Sequence, residues 1–364
     1  MPRLKKIIKQ FFAILFGIFL ALVILEIVLR IWHPFKYTVR GDKIILAANI
    51  RVSMKNKWIK KLDDTIYYSR NSIGLRGDEP PADPGKFITI ITVGGSTTEC
   101  KFLSDKKTWP EKLKQDLNRD YGNIWLNNAG LDGHSSFGHL ILLKDYIAPL
   151  HPNYILFLVG TNDVELDRPA GLDDQDIKGI HGHSIRYFFK SLINYSEAGS
   201  MFLALYRNYL AYTKGLVHWE RGPGQLAVGI TDSLARNRKL VEQQDFLGNY
   251  ARRLKELSDI SVSHGIKPVF ITQPALFGDV VDSTTNIYMG NRMLDGYDCA
   301  TSWKVLELYN DEVRKLRASG ITVIDLAAAM PKDSKYYYDF MHYTNTGAEK
   351  VAFILADSLR RIIK

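Results

Sequence analysis

The N-terminal part of the chain contains a long apolar stretch. Residues 11–25 are apolar without a break, and the stretch continues to Trp32 with Glu26 and Arg30 as its charged side chains. These two charges are four residues apart, so they can pair on one face of a helix. The 22 residues of 11–32 would span roughly 33 Å as a helix, which is enough to cross a bilayer. The pattern predicts a transmembrane helix.

The charges before this stretch predict its orientation. Residues 1–10 form a basic tail with Arg3, Lys5, Lys6 and Lys9, and basic flanks favour the cytoplasmic side. A cleaved signal peptide is the alternative, because its apolar core has a similar length, but the next five residues include none of the small residues that cleavage requires. A buried core helix is disfavoured by the all-round apolarity. We expect an uncleaved, single-pass anchor with the remaining chain outside the cytoplasm.

Short apolar runs alternate with amphipathic stretches from residue 87 onward, after an irregular connecting segment at 33–86. The apolar runs predict five strands, at 87–93, 124–127, 154–159, 267–272 and 322–325. The amphipathic stretches predict helices, at 109–118, 137–146, 240–257, 303–316 and 348–362. Strands that alternate with helices indicate βαβ units, and therefore an α/β fold with a doubly wound, parallel, five-stranded sheet. We expect this domain to cover 87–364.

Two stretches interrupt the alternation, a helical insertion at about 165–233 and a long loop at about 274–300. Both follow predicted strands, so we expect them at the carboxyl edge of the sheet, where ligands bind in such folds. The insertion is rich in aromatic and aliphatic side chains, among them Tyr187, Phe188, Phe189, Phe202, Leu205, Tyr206, Tyr209 and Tyr212. A small helical cap packed on the core is favoured over a membrane- or acyl-binding surface.

Composition excludes several classes of function. A hydrophobic content of 46% excludes a disordered chain. The net charge of +9 is spread thinly beyond the basic tail and lies in no nucleic-acid-binding motif, so we expect no nucleic-acid partner.

His181 and His183 lack a third ligand at suitable spacing, and we expect neither a metal nor a cofactor. Cys100 and Cys299 would pair outside the cytoplasm and tie the long loop to the segment after Ser96.

Four polar blocks follow the predicted strands. Gly94-Gly95-Ser96 follows the first strand, residues 127–134 the second, residues 160–163 the third, and residues 339–347 the fifth. Each block alone is typical of an ordinary turn or capped loop. However, a serine at a helix start is close to free N–H groups that can hold an oxyanion.

The last block contains a possible base with its orienting group. Asp339 lies three residues before His342, so its carboxylate can hold one imidazole nitrogen and leave the other as a base. Thr344 or Asn345 can cap the helix that follows. The carboxyl ends of parallel strands meet at one edge, so we expect all four blocks to converge there.

The order Ser, Gly, Asn and Asp-x-x-His resembles that of the SGNH hydrolases, also called GDSL esterases, over about residues 87–364. The resemblance implies an SGNH, flavodoxin-like fold and a catalytic triad of Ser96, Asp339 and His342. It also implies an oxyanion hole formed by the N–H of Ser96, the N–H of Gly133 and the side-chain amide of Asn162. Gly130 is the alternative in the second block.

The sequence departs from the family pattern in the first block. The family's Gly-Asp-Ser is Gly94-Gly95-Ser96 here, and Thr97 replaces the leucine that follows the serine. Neither change removes a triad or oxyanion-hole group. Residues 71–77, which include Arg76, also resemble the segment that precedes the domain in membrane-anchored bacterial members.

The resemblance implies a serine esterase that hydrolyses an O-acyl ester, such as an acetyl ester, through an acyl-enzyme without a cofactor. An O-acyltransferase that passes the acyl group to a cell-envelope carbohydrate is an alternative, because the same acyl-enzyme serves both reactions. An inactive envelope scaffold is a third reading, which the intact triad disfavours. Envelope polysaccharide and lipid esters both suit the expected location as substrates.

Overall fold

The computed structural model describes residues 2–32, 39–40, 43–167, 195–213 and 218–363. Its helices are α1 Pro2–Trp32, α2 Ser96–Glu99, α3 Trp109–Tyr121, α4 Ser136–Leu142, α5 Glu197–Thr213, α6 Ser233–Glu242, α7 Gln244–Ser263, α8 Cys299–Lys315, α9 Leu326–Ala329 and α10 Asn345–Leu359. Its strands are β1 Val39–Arg40, β2 Lys43–Ile44, β3 Ile50–Lys55, β4 Thr65–Arg70, β5 Ile88–Gly94, β6 Ile124–Asn128, β7 Tyr154–Leu158, β8 Lys267–Ile271, β9 Val281–Asp282, β10 Ile287–Tyr288, β11 Met293–Leu294, β12 Tyr297–Asp298 and β13 Thr322–Ile324.

The chain divides into two compact units. The smaller unit comprises Met1–Ile45 and Asp174–Val217. Within it, the portion of α1 over Lys5–Trp32 is long and apolar enough to cross a membrane. Glu26 and Arg30 pair as their spacing predicts, with 2.7 Å between Oε1 and Nε. Helix α5, the described helix of the predicted insertion, packs on α1.

The larger unit comprises Leu46–Asp173 and His218–Lys364, and a five-stranded parallel sheet forms its centre. The strand order is β13-β8-β7-β5-β6, with every pair parallel. This confirms the predicted doubly wound α/β fold. The order reverses direction between β5 and β7, which is the switch point where open α/β sheets bind ligands.

Both faces of the sheet are buried, which is why its strands read as nearly continuous apolar runs. On one face, Ile90 and Leu156 pack with residues of α3 and α10. On the other face, the rings of Phe157 and Phe270 stack with their centroids 5.0 Å apart. Helix α7 contacts β8 and α4 and buries Tyr250. The helices therefore cover the sheet in two layers.

The connecting segment belongs, from residue 46 onward, to the larger unit. Its strands β3 and β4 form an antiparallel hairpin, and Ile59 and Leu62 join the buried core. Arg76 forms two backbone hydrogen bonds with Asn128, of 2.8 and 2.9 Å, at the end of the edge strand β6. This segment therefore packs as an integral part of the larger unit.

The structure changes the predicted bounds of two helices. The helix expected at 137–146 is α4, which widens into a π-helical turn over Leu143–Ile147. The stretch around 240–257 divides into α6 and α7 at Gln243. The Gln243 amide donates to Glu165 Oε1 at 2.8 Å and accepts from the Tyr309 hydroxyl at 3.1 Å. These long-range bonds hold Gln243 between the two helices.

The predicted disulfide is wrong. Cys100 and Cys299 are both buried free thiols. Cys100 ends α2 in a left-handed conformation, and its thiol donates to the Thr97 carbonyl at 3.3 Å. Burial raises the pKa of both thiols to about 12. The local turn after α2 therefore directs the Cys100 side chain back into its own helix.

Candidate active site

The serine of the first block lies at the switch point of the sheet. Strand β5 ends at Gly94, and Ser96 is the first residue of α2. A Cβ atom on Gly94 would lie 2.2 Å from Thr98 Oγ1, and one on Gly95 would lie 2.3 Å from Asn162 Nδ2. The lack of a side chain at Gly95 therefore leaves the space that Asn162 occupies beside the serine.

Ser96, His342 and Asp339 form one hydrogen-bonded series. The distance from His342 Nε2 to Ser96 Oγ is 2.8 Å, and that from His342 Nδ1 to Asp339 Oδ2 is 2.6 Å. Asp339 Oδ1 also accepts the backbone N–H groups of Met341 and His342, at 2.9 and 2.7 Å. This turn explains the three-residue spacing, because it folds the carboxylate back onto the ring. We assign the Nδ1–H tautomer, which leaves Nε2 as acceptor for the serine hydroxyl.

Burial and charge act in opposite directions on this pair. Burial alone would raise the pKa of Asp339, but the charge and hydrogen bonds of His342 hold it below its usual value. Burial alone would lower the pKa of His342, but the Asp339 carboxylate raises it, with a further contribution from Asp132. The arrangement therefore favours a proton on the imidazole more than burial alone would allow.

The predicted oxyanion-hole residues lie on the neighbouring loops. Asn162 lies in the 3₁₀ turn after β7, and its amide donates to the His134 carbonyl at 2.9 Å. The second hydrogen of that amide remains for another acceptor. Gly133 has a φ of +72°, a left-handed conformation that suits glycine. Gly130 is a poor alternative, because its N–H already donates to Asn128 Oδ1 at 2.8 Å.

A second histidine, which the sequence did not indicate, lies against the first. The ring centroids of His218 and His342 are 4.3 Å apart in an edge-to-face arrangement. His218 Nε2 is 3.3 Å from both carboxylate oxygens of Asp132, and Nδ1 is 3.0 Å from the Tyr338 hydroxyl. His218 lies far in sequence from each of the four polar blocks, so its contact with His342 could not be predicted from local residue spacing. Burial would raise the pKa of Asp132, but its hydrogen bond to His218 lowers it.

The same histidines form a possible cation cluster. Among the described residues, ligand atoms of His218, Asp339 and His342 lie within 4.8 Å of one another. Each imidazole nitrogen already has a hydrogen-bond partner, so a cation would have to displace the Ser96 or Asp132 contacts. The other candidate histidine pair, His181 and His183, lies outside the described residues.

Tyr68 and Arg76 of the connecting segment support the loop that follows Ser96. Glu99 Oε2 accepts the Asp132 N–H at 2.8 Å, while Glu99 Oε1 accepts from the Tyr68 hydroxyl at 2.9 Å. Arg76 donates to the carbonyls of Glu99 and Cys100, at 2.7 and 2.8 Å.

Lys61 supports the other loop of the site, just before Asp339. Its ammonium donates to the carbonyls of Ser334 and Tyr337, at 2.9 and 3.0 Å. The segment around 60–76 therefore supports both the loop after the serine and the loop that contains Asp339 and His342.

Two further histidines, one in the second block and one in the helix after it, are buried. His134 lies in the loop and His139 in α4, and burial lowers their pKa to about 4 and about 3. Both are therefore neutral near pH 7.

The fold and this arrangement of loops are those of a GDSL-type hydrolase. The chain belongs to the GDSL-like Lipase/Acylhydrolase family, whose model matches residues 91–350. That range includes all four polar blocks. Membership of this family supports hydrolase activity for the chain. No curated protein matches the chain.

Several solved structures are similar to this chain. They include a GDSL-like lipase from Bacteroides thetaiotaomicron, with 11% identity and a TM-score of 0.40, over 78% of this chain and 93% of that one. A lipase/acylhydrolase from Enterococcus faecalis has 14% identity and a TM-score of 0.42, over 76% of this chain and 97% of that one. An acetyl xylan esterase, AlAXEase, has 12% identity and a TM-score of 0.41, over 75% of this chain and 100% of that one.

Proposed function

We propose that this protein is a serine esterase that hydrolyses an O-acyl ester through a covalent acyl-enzyme. One observation carries the proposal, the hydrogen-bonded series from Asp339 through His342 to Ser96, with distances of 2.6 and 2.8 Å. Nucleophile, base and orienting group lie within hydrogen-bond reach of one another, which is the geometry that covalent catalysis by serine requires.

The reaction proceeds in two halves. Ser96 Oγ attacks the ester carbonyl while its proton moves to His342 Nε2, and Asp339 stabilises the imidazolium. Collapse of the tetrahedral intermediate breaks the ester C–O bond, and Nε2 returns the proton to the leaving alcohol. A water molecule then attacks the acyl-enzyme with the same base, releasing the carboxylic acid and restoring the Ser96 hydroxyl.

The oxyanion of each intermediate binds to three donors. These are the backbone N–H of Ser96 at the start of α2, the backbone N–H of Gly133, and the Asn162 amide. The amide's bond to the His134 carbonyl supports this role, because it fixes the direction of the remaining N–H. Preorganised donors of this kind stabilise charge that develops only in the transition state.

We further propose that α1 anchors the enzyme in a membrane, with the N-terminus in the cytoplasm and the larger unit outside it. The length and apolarity of Lys5–Trp32 support the anchor, and the basic residues before it support the orientation. A C-terminal reporter that works only outside the cytoplasm tests this orientation. A well-expressed but inactive reporter would contradict it.

An ester-hydrolysis assay of the full chain tests the chemistry. Small acetyl esters and esters of graded acyl length should be hydrolysed by the wild type and by Ser263→Ala, a control at an exposed serine at the end of α7. Ser96→Ala should remove turnover while the protein stays folded. A parallel assay with carbohydrate acceptors separates the hydrolase from an acyltransferase, because a transferase would form acylated carbohydrate instead of free acid. A folded, fully active Ser96→Ala protein would contradict the proposal.

A further inference from the structure

The acidic residue in the apolar part of α1 holds the start of a second helix. The Glu26 carboxylate accepts hydrogen bonds from Ser196 Oγ at 2.9 Å and from the N–H groups of Glu197 and Ala198 at 3.0 Å. These groups form the N-terminal end of α5, where unpaired N–H donors and the helix dipole favour a negative charge. Glu26 therefore joins α5 to α1 in addition to pairing with Arg30.

Glu26 lies near the end of the apolar span of α1, and α5 begins beside it. Glu26 precedes Trp32, the last apolar residue of the span, by six positions, which is roughly 9 Å along a helix. Leu29, one turn after Glu26, is buried, whereas Ile18 and Leu22, further toward the N-terminus, are exposed. Burial at Leu29 therefore lies near the end of α1, where Glu26 bonds the start of α5. Helices that lie in a membrane interface insert to about 5–10 Å.

One face of α5 is apolar and uncovered. Phe202, Leu205, Tyr206 and Tyr209 follow the i, i+3, i+4, i+7 spacing of a single helix face, and all four are exposed. The start of the helix is covered, because Ala198 and Ser200 are buried. Two of the four exposed side chains are tyrosines, which are enriched at the boundary between lipid and water.

We propose that α5 is an interfacial helix, which lies in the outer leaflet of the membrane with Phe202, Leu205, Tyr206 and Tyr209 in contact with lipid. This inference rests on the membrane anchoring proposed above. The occupant of the apolar face is the lipid bilayer, because α5 packs on the helix that the anchor proposal places in the membrane and begins beside Glu26, near the end of that helix's apolar span. The anchor is then a two-helix unit.

Fluorescent labelling of the full chain in lipid nanodiscs tests this proposal. Leu205→Cys and Tyr209→Cys are labelled with an environment-sensitive dye. Val262→Cys on α7 and Phe353→Cys on α10 are the controls, since these side chains are 57% and 59% exposed, like Leu205 at 56%. The native cysteines are buried, so they should not react. The labels on α5 should emit in the blue and be quenched by brominated lipid, unlike the controls.

One further label and one further condition separate the outcomes. Ile18→Cys, in the middle of α1, reports on the anchor itself. Quenching at Ile18 without quenching on α5 would overturn the interfacial helix and leave the anchor intact, whereas no quenching at Ile18 would overturn both. Discs loaded with one chain exclude a second copy as the covering partner. A label on α5 that is shielded only at higher loading would therefore overturn the lipid contact.

Discussion

The site contains two histidine–aspartate pairs side by side, and they differ in the nitrogen that faces the carboxylate and in the hydroxyl that the other nitrogen contacts. His342 has Asp339 on Nδ1 and the Ser96 hydroxyl on Nε2. His218 has Asp132 on Nε2 and the Tyr338 hydroxyl on Nδ1. The two rings contact each other, yet His342 alone of this pair reaches the serine. A general base needs a nitrogen directed at the proton it removes, so we assign that role to His342 and a positioning role to His218.

The largest difference between the two histidines should appear on substitution by alanine. His342→Ala should lower kcat by a factor on the order of 10⁶, as in serine proteases, and Ser96→Ala should do the same. The double variant should lose little more than either single one, because the two residues act as a unit. His218→Ala should cost no more than about 10²-fold, at or below the loss for one oxyanion donor, because His218 acts only through the position of His342. Steady-state kinetics measures the loss of kcat in each variant. Equal losses in His342→Ala and His218→Ala would contradict the different roles assigned to the two histidines.

The two aspartates should differ in the same direction. Asp339→Ala should lower kcat by about 10⁴, since an unoriented imidazole still acts as a weaker base. The effect of Asp132→Ala should be smaller, because its carboxylate contacts the ring of His218. Rates of ester hydrolysis test this order, provided that circular dichroism shows both variants to be folded like the wild type. A larger loss at Asp132 would reverse the assigned roles.

Strands and site residues were predictable to different degrees. Strand positions followed from apolar runs that are buried on both faces, and Asp339 and His342 lie close in sequence, so local spacing was informative. His218 was not predictable, because loops that are distant in sequence bring it to His342. The disulfide prediction failed because the turn after α2 directs Cys100 toward Thr97. The pairing of Glu26 with Arg30 was foreseen, but its bonds to α5 depend on the contact between the two helices.

The oxyanion hole offers a test with two independent variants. Asn162→Ala should lower kcat by about 10²–10³, the usual loss for one oxyanion donor. Gly95→Ala should have a comparable effect, because the new Cβ would lie 2.3 Å from Asn162 Nδ2 and displace the amide. KM should change less than kcat in both variants. Gly95→Ala with wild-type kcat would show that Asn162 does not act from its observed position.

A smaller effect is expected in the pH profile. The groups that face His342 are Ser96, Asp339, Asp132, His218 and Tyr338. The Asp132 charge raises the pKa of His342, and the base must be neutral in the free enzyme. Asp132→Asn should therefore lower that pKa and move the acid limb of kcat/KM to lower pH. Asp357→Asn, an exposed control on α10, should leave the limb in place. A shift to higher pH would contradict the assignment.

Covalent labelling of Ser96 by a fluorophosphonate tests the central claim most directly, because it reports the activated nucleophile without knowledge of the natural substrate. Peptide mass spectrometry should locate a single adduct on Ser96 in the wild type. The same adduct should form in His218→Ala at a rate within about 10²-fold, and it should be absent in His342→Ala on that timescale. A wild-type protein that forms no Ser96 adduct, or a His342→Ala protein that forms it as fast as the wild type, would contradict the proposed mechanism.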